Sequence, residues 1–325
     1  MPSTPNPPSI LAIVVPCYNE EAMLGITVPG LLNALDGMIE SGLCAMQSYI
    51  VLVDDGSRDA TWHLIEDAAT RYPGRVRGVR LASNVGHQAA LLSGLDYATG
   101  RCDAAVSIDA DLQDDVTVIA RMIEAYHCGA QMVLGVRECR ATDSWFKRNT
   151  AEGFYRLMGA MGVEMTHNHA DFRLMSDRVL RNLREFSEIN LFLRGLPRLL
   201  HKEVVTVSYR RAERVAGETK YPLRKMLALA WNGITSFSVV PLRMISVMGA
   251  LVFLVSLVLS AYALFGFLSG STLPGWASVV IPLYLLGGLL MLSIGVVGEY
   301  VGKVFLETKR RPRFLVDQIV GDPDD

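Results

Sequence analysis

The chain predicts an α/β fold: a Rossmann-like, doubly wound parallel sheet, followed by an amphipathic juxtamembrane region and two transmembrane helices. Three observations predict it. Short β-branched runs alternate with helical stretches of about 10–15 residues through the first half of the sequence. From Met244 to Gly298, 55 residues carry no Asp, Glu, Lys, Arg or His, enough for two spans of about 20 residues with a short loop. Basic residues flank that block on both sides and are missing from its middle.

Taken in order, Ile10 to Val15 is a buried strand by length and flanks, ending at Pro16. Glu20 to Ile39 has helical periodicity, with Met23, Leu24, Leu31, Leu32 and Leu35 near one face. Tyr49 to Val53 is a second strand, Asp59 to Arg71 a helix and Val76 to Leu81 a third strand. His87 to Thr99 is an Ala/Leu-rich helix, Ala104 to Ile108 the fourth strand, Val116 to Cys128 a helix and Met132 to Val136 the fifth strand. Trp145 to Met161 reads as a further helix carrying Lys147, Arg148 and Arg156, and Thr166 to Arg173 as polar and irregular. Val204 to Tyr209 reads as a last strand. The basic stretch Arg210 to Lys225 and the mixed segment Tyr221 to Val240 suit a helix lying on a membrane surface.

The spans run from about Ile245 to Leu268 and from about Val279 to Val301. Lys220, Arg224, Lys225 and Arg243 precede the first, Lys303, Lys309, Arg310, Arg311 and Arg313 follow the second, and Ser269 to Ser278 carries no charge. That pattern expects both termini in the cytoplasm. The Pro-rich segment 1–9 lacks a signal peptide's charged and apolar regions and is expected to be disordered. The expected division is an α/β domain over 10–215, a juxtamembrane region over 216–243, spans over 244–302 and a cytoplasmic tail over 303–325.

Composition narrows the function. A net charge of −2 makes nucleic acid a poor partner. Cys17, Cys44, Cys102, Cys128 and Cys139 show no Cys-x-x-Cys spacing and read as free thiols in a reducing compartment. Neither Gly-x-Gly-x-x-Gly nor the P-loop pattern occurs, which disfavours dinucleotide dehydrogenases and P-loop enzymes.

The chemistry gathers at strand ends. Ser107-Ile108-Asp109-Ala110-Asp111-Leu112-Gln113-Asp114-Asp115 is a buried strand surfacing into carboxylates. Oxygen ligands there suit Mg²⁺ or Mn²⁺, which in turn hold phosphates. Loops after parallel strands share one edge, so Tyr18-Asn19-Glu20, Asp54-Asp55-Gly56-Ser57, Asn84 with Gly86, and Asp109 to Gln113 should converge there. Each alone is ordinary turn and capping chemistry, whereas four at successive strand ends favour a nucleotide-diphosphate site. No nucleophile–base pair is evident. His167-x-His169 has metal-ligand spacing but no third ligand in register.

These loops carry a resemblance. Val15-Pro16-Cys17-Tyr18-Asn19-Glu20-Glu21, Val53 to Asp59, Asn84-Val85-Gly86-His87 and Asp109 to Asp114 resemble family 2 glycosyltransferases of the GT-A fold. Asp143 to Arg148, His169-Ala170-Asp171-Phe172-Arg173, Ala216 to Pro222, Gly298 to Gly302 and Arg311 to Phe314 extend the likeness to the polyprenyl-phosphate branch, most like bactoprenol glucosyltransferases and related to dolichol-phosphate mannose synthase. Thr219 stands where most relatives have Ser.

The resemblance implies a GT-A domain with a nucleotide-sugar site made by Pro16, Tyr18, Asn19, Glu20, Asp54, Asp55, Gly56, Ser57, Asn84, Gly86, Asp109 and Ala110. It implies Mg²⁺ or Mn²⁺ on Asp109, Asp111 and Gln113, and Asp171, Arg148 and Lys220 at the reacting groups. It also implies Lys220 at the acceptor phosphate, and Arg137, Arg148 and Arg173 are further candidates for phosphate contacts by the fork geometry of the guanidinium. The implied reaction is inverting transfer of a hexose, first choice glucose from UDP-glucose, to undecaprenyl phosphate at the cytoplasmic face of a bacterial inner membrane. The same chemistry with GDP-mannose, UDP-galactose, a UDP-N-acetylhexosamine or an aminoarabinose-type donor stays open, as does a non-catalytic nucleotide-sensing scaffold. The implied partners are the nucleotide-diphosphate sugar, polyprenyl phosphate and membrane lipids, with a homo-oligomer, a tetramer for instance, left open. A processive polysaccharide synthase is disfavoured, because Gln-x-x-Arg-Trp is absent.

Overall fold

In the computed structural model, which describes residues 7–137, 169–188, 193, 196–209, 238–268 and 275–323, the apolar runs of the first half form β1 (Leu11–Cys17), β2 (Tyr49–Asp54), β3 (Val76–Leu81), β4 (Ala104–Ser107) and β5 (Met132–Arg137). Between them lie α1 (Glu21–Glu40), α2 (Thr61–Arg71), α3 (His87–Ala98) and α4 (Val118–His127). Then come β6 (His169–Ser176), α5 (Asp177–Arg184), the single turn α6 (Pro197–Leu200), β7 (Val205–Tyr209), α7 (Val240–Leu268), α8 (Trp276–Thr308) and β8 (Val316–Val320). The expected helix at 145–161 and the basic stretch 210–237 lie outside the described residues.

The strands make one sheet in the order β7-β5-β6-β4-β1-β2-β3-β8. Two strands correct the expectation of an all-parallel sheet. β6 runs antiparallel between β4 and β5, and β8 runs antiparallel on β3. β6 also replaces the irregular structure expected over 169–173, while 166–168 lie outside the described residues. Its charges enter the sheet because the Arg173 guanidinium lies 2.7 Å from the Asp171 carboxylate and neutralises it.

The core strands are buried on both faces, hence their near-continuous Val, Ile and Leu. Alternation sends Leu11, Ile13 and Val15 to the face packed by Leu24, Val28, Leu31 and Leu35 of α1 and by Ile119, Met122 and Ile123 of α4. Leu31 and Leu35 are fully buried, each stabilising the fold by about 1.5–3 kcal/mol. On the other face α3 rides close to the sheet at Gly94, where a Cβ would stand 2.5 Å from Val14 and 2.7 Å from Val53. Pro16 is tolerated in a central strand for a local reason. β1 pairs with β4 only as far as Val14, so the side on which Pro16 lacks its N–H has no ladder left to serve.

Residues 312–325 group with this sheet unit, and α7 and α8 belong to a second unit. In the second unit the Tyr300 hydroxyl donates to the Ser238 carbonyl at 2.6 Å. Met244, Val247, Leu251, Leu254, Val258 and Phe265 of α7 are exposed, as are Val279, Leu283, Leu290, Ile294 and Val301 of α8. Leu286–Thr308 is long and apolar enough to cross a membrane, with none of its most apolar window buried. α1 passes the same test of length and composition, but its apolar face is the core contact just described.

Candidate active site

β4, β1 and β2 are neighbours and parallel, so Tyr18–Glu20, Asp54–Ser57 and Asp109–Gln113 leave the sheet at one edge. Because β6 is antiparallel, its beginning reaches that edge too. Ser107 pairs with Arg173, and the Ser107 hydroxyl donates to the Asp171 carbonyl. β3 adds the loop 83–86 beside β2.

The loops after β1, β2 and β3 are tied to one another. The Asn19 N–H donates to Ser57 Oγ at 3.0 Å and Asn19 Oδ1 accepts from the Arg58 N–H at 2.9 Å, with Asn19 at a positive φ of 55° that Asn tolerates better than most residues. Both Asp55 carboxylate oxygens are taken by backbone N–H groups, from Val85 at 2.7 Å and from Gly86 at 2.9 Å. Asn84 Nδ2 donates to the Asp55 carbonyl at 3.1 Å. Gly56 has φ 65°, and a Cβ there would sit 2.7 Å from the Asn84 nitrogen, so only glycine lets the two loops touch. Asp55, Asn19, Gly56 and Ser57 therefore shape the pocket wall with their own bonds. Asp54 is different. It is fully buried, its Oδ1 accepts from the Ser57 N–H at 3.1 Å, and its Oδ2 has no hydrogen-bond partner among the described residues, with Arg80 Nε 4.0 Å away. A buried acceptor left open at a strand end suits an N–H of a bound ligand. Tyr18, in the loop after β1, is 43% exposed.

The turn after β4 is held from below. Buried Thr27 donates to the Ala110 carbonyl at 2.6 Å, Leu112 takes a φ of 47°, and the Gln113 N–H donates to Asp111 Oδ1 at 3.2 Å. Gln113 is buried, its amide nitrogen unpartnered among the described residues. Asp114 accepts from the Tyr209 hydroxyl at 2.6 Å and from Arg137 Nη2 at 3.2 Å, while Arg137 Nε donates to Tyr209 at 3.1 Å. Arg137 is thus engaged in bracing the turn.

Electrostatics converge here. Burial pushes the Asp109 carboxyl up, His87 opposes it, and the charges of Asp114, Asp171 and Asp111 push it further. Glu20 is raised by burial and then by Asp111, Asp109 and Asp59. Carboxylates that raise one another are an arrangement that a divalent cation would relieve. Among the described residues no three His, Cys, Asp or Glu side chains form a preformed cage. Asp109 and Asp111 would supply only part of a coordination shell, the rest of which Mg²⁺ takes from waters and substrate phosphates, with the Gln113 amide at the same turn.

Asp171 is clamped. Arg173, 1% exposed, places Nη2 2.7 Å from Asp171 Oδ1 and donates from Nη1 to the Leu193 carbonyl at 2.9 Å. It therefore stands behind Asp171, away from open surface. His87 Nε2 lies 3.6 Å from Asp109 Oδ1 and 3.6 Å from Asp171 Oδ2. The sequence reading missed His87 as a site residue, although it follows Asn84-Val85-Gly86 directly and opens α3. It also missed Tyr209, which nothing local marks. Arg148, Lys220 and His167 lie outside the described residues.

Neither the thiol nor the serine hydroxyl at this edge is primed as a nucleophile. Burial, then Glu20 and Asp54, push the Cys17 thiol far above its ordinary value, and Ser57 Oγ is occupied by Asn19.

The chain is similar to known proteins over most of its length. The model for "Glycosyl transferase family 2" matches residues 12–184. The "Uncharacterized glycosyltransferase YkoT" of Bacillus subtilis (strain 168) is 50% identical over 308 residues, 95% of this chain and 91% of the relative. The "Prophage bactoprenol glucosyl transferase homolog" of Escherichia coli (strain K12) is 38% identical, covering 95% of this chain and 99% of the relative. The "Bactoprenol glucosyl transferase" of Shigella phage SfX is 39% identical, covering 94% and 98%.

Proposed function

The chain belongs to glycosyl transferase family 2, and we propose from this that it moves a hexose, first choice glucose from UDP-glucose, to a polyprenyl phosphate with inversion. The observation that carries the reading is the juxtaposition of Asp109 with Asp171 across His87 at one sheet edge. Such an edge suits a single displacement, in which the acceptor oxygen bonds to the sugar carbon as the nucleoside diphosphate leaves. The relatives named for bactoprenol supply the acceptor class.

In this reading the uracil stacks near Tyr18, and buried Asp54 Oδ2 accepts its N–H. The loop fixed by Asp55 borders the ribose with Asn84 and Gly86, and Pro16, Glu20 and Ala110 complete the wall. Asp109, Asp111 and Gln113 would hold Mg²⁺ or Mn²⁺, which neutralises charge on the departing diphosphate. A lipid phosphate is already anionic near neutral pH, so Asp171 has no strong base's work to do. It orients the acceptor, held in one rotamer by Arg173. Arg148 and Lys220 are assigned to the phosphates by sequence likeness, and Arg137 acts through Asp114.

A polyprenyl chain stays in its bilayer, so the enzyme must reach the membrane. The exposed apolar faces of α7 and α8 support two spans, and the flanking Lys and Arg support a cytoplasmic site with both termini cytoplasmic. The test is a donor screen on detergent-purified protein. Undecaprenyl phosphate and Mn²⁺ are incubated with UDP-glucose, UDP-galactose, UDP-N-acetylglucosamine or GDP-mannose, and lipid-linked sugar is counted. Product from UDP-glucose with inverted anomeric configuration is expected. No lipid product from any donor would sink the reading.

A further inference from the structure

The last strand of the sheet comes from the end of the chain, after α8, and it is fastened at both ends. β8 is antiparallel to β3, with Leu81 opposite Val316 and Gly78 opposite Val320, so it enters at the candidate site's edge. There the Ala82 N–H donates to the Leu315 carbonyl at 2.9 Å, immediately before the loop 83–86. That loop is the one whose Val85 and Gly86 N–H groups hold Asp55 and whose Asn84 backbone abuts Gly56. At the opposite edge Gly321 takes φ 72°, and a Cβ there would stand 2.6 Å from the Val76 carbonyl oxygen. Beyond it Asp322 Oδ2 accepts from the Tyr97 hydroxyl at 2.8 Å and lies 3.9 Å from Arg101 Nη2. Tyr97 also accepts from buried Arg77, whose guanidinium stacks 3.5 Å from the Tyr49 ring centroid. Between the latches, the Val320 side chain fills the space left by Gly78, where a Cβ would lie 2.7 Å from it.

We infer that β8, latched by Leu315 and Asp322, is a positioning strap for the donor site, holding the loop 83–86 and through it Asp55, so that nucleotide affinity depends on the C-terminal residues. The inference rests on the nucleotide-sugar reading above and deepens it. The physical reason is edge closure. Without β8, β3 is an edge strand with open N–H and C=O groups, and the residues following it lose the Ala82–Leu315 backbone bond. A loop held from one side alone opens more often, and a ligand that needs it closed binds more weakly by the closed fraction.

The experiment uses the full membrane protein in detergent with two variants, one ending at Phe314, which removes both latches and the strand, and one carrying Gly321→Val, which disturbs the latch without removing the strand. Amide hydrogen exchange of residues 79–86 is measured without ligand, and UDP affinity is measured by calorimetry. Faster exchange at 82–86 in both variants is expected, together with a UDP Kd raised about tenfold, the scale of one lost hydrogen bond. Turnover at saturating donor should change less than the Kd. Unchanged exchange at 82–86 in the folded Gly321→Val protein would overturn the strap, as would faster exchange with unchanged UDP affinity. If the unaltered protein binds no UDP, the nucleotide reading fails by that result alone, and exchange still decides whether β8 holds the loop.

Discussion

Arg173 Nη2 stands 2.7 Å from Asp171 Oδ1, and the guanidinium is sealed from solvent. An Arg buried beside a strand-borne Asp fixes that carboxylate's rotamer and supplies the charge that lets the Asp sit within the sheet.

Arg173→Met should therefore do more than weaken one contact. Removing one partner of a buried pair costs about 3–5 kcal/mol, and the freed Asp171 should lower kcat more than it raises the donor KM. Thermal unfolding with steady-state kinetics checks both, and a fall confined to KM would contradict the clamp.

Asp111→Asn keeps the size of the side chain and removes a charge at the proposed metal turn. Transfer should fall about 100-fold, the scale of several kcal/mol of charge stabilisation, with partial recovery as Mn²⁺ is raised. Initial rates across a Mn²⁺ titration test this, and a rate equal to the unaltered protein's would remove Asp111 from the metal set.

Asp109→Asn should stabilise the metal-free protein at pH 7 while abolishing transfer. The Asp109 pKa is raised in the fold, by burial first, so the folded state binds its proton more tightly than the unfolded chain does. Its penalty on stability is then present above the raised folded value, shrinks as the pH falls through that value, and is gone below the ordinary 3.8. Unfolding in EDTA at pH 7 and at acid pH should show a gain at the first that disappears at the second.

Tyr209→Phe keeps the edge-on contact with Phe172, whose ring centroid lies 5.4 Å away, and takes a hydrogen bond from buried Asp114. A stability loss of about 1.5–3 kcal/mol is expected for a bond to a charged group. Mn²⁺ affinity should fall as well, because Asp114 follows Gln113 directly. Loss of stability with unchanged Mn²⁺ affinity would confine Tyr209 to the fold.

Much of this was legible from short-range pattern. β1 to β5 and the helices between them follow from apolar runs and periodicity, because a buried parallel strand must be apolar on both faces. The carboxylates after β4 and the loops of β1, β2 and β3 converge because parallel strands share an edge, a consequence of topology that the alternation already implied.

What the sequence determined by itself is the set of groups at that edge and the long uncharged block near the end. Tertiary structure alone decided how those groups are held. Asp171 and Arg173 break the apolar pattern of β6, and their strand exists because each neutralises the other between β4 and β5. β8 is only five residues long and is interrupted by Asp317 and Gln318, and it pairs with a strand more than 200 residues away in sequence. Tyr209 reaches Asp114 across 95 positions. Local periodicity reports only what a segment buries against its own neighbours. Pairings between distant segments are set by which edges and charges remain unsatisfied once the whole chain has packed.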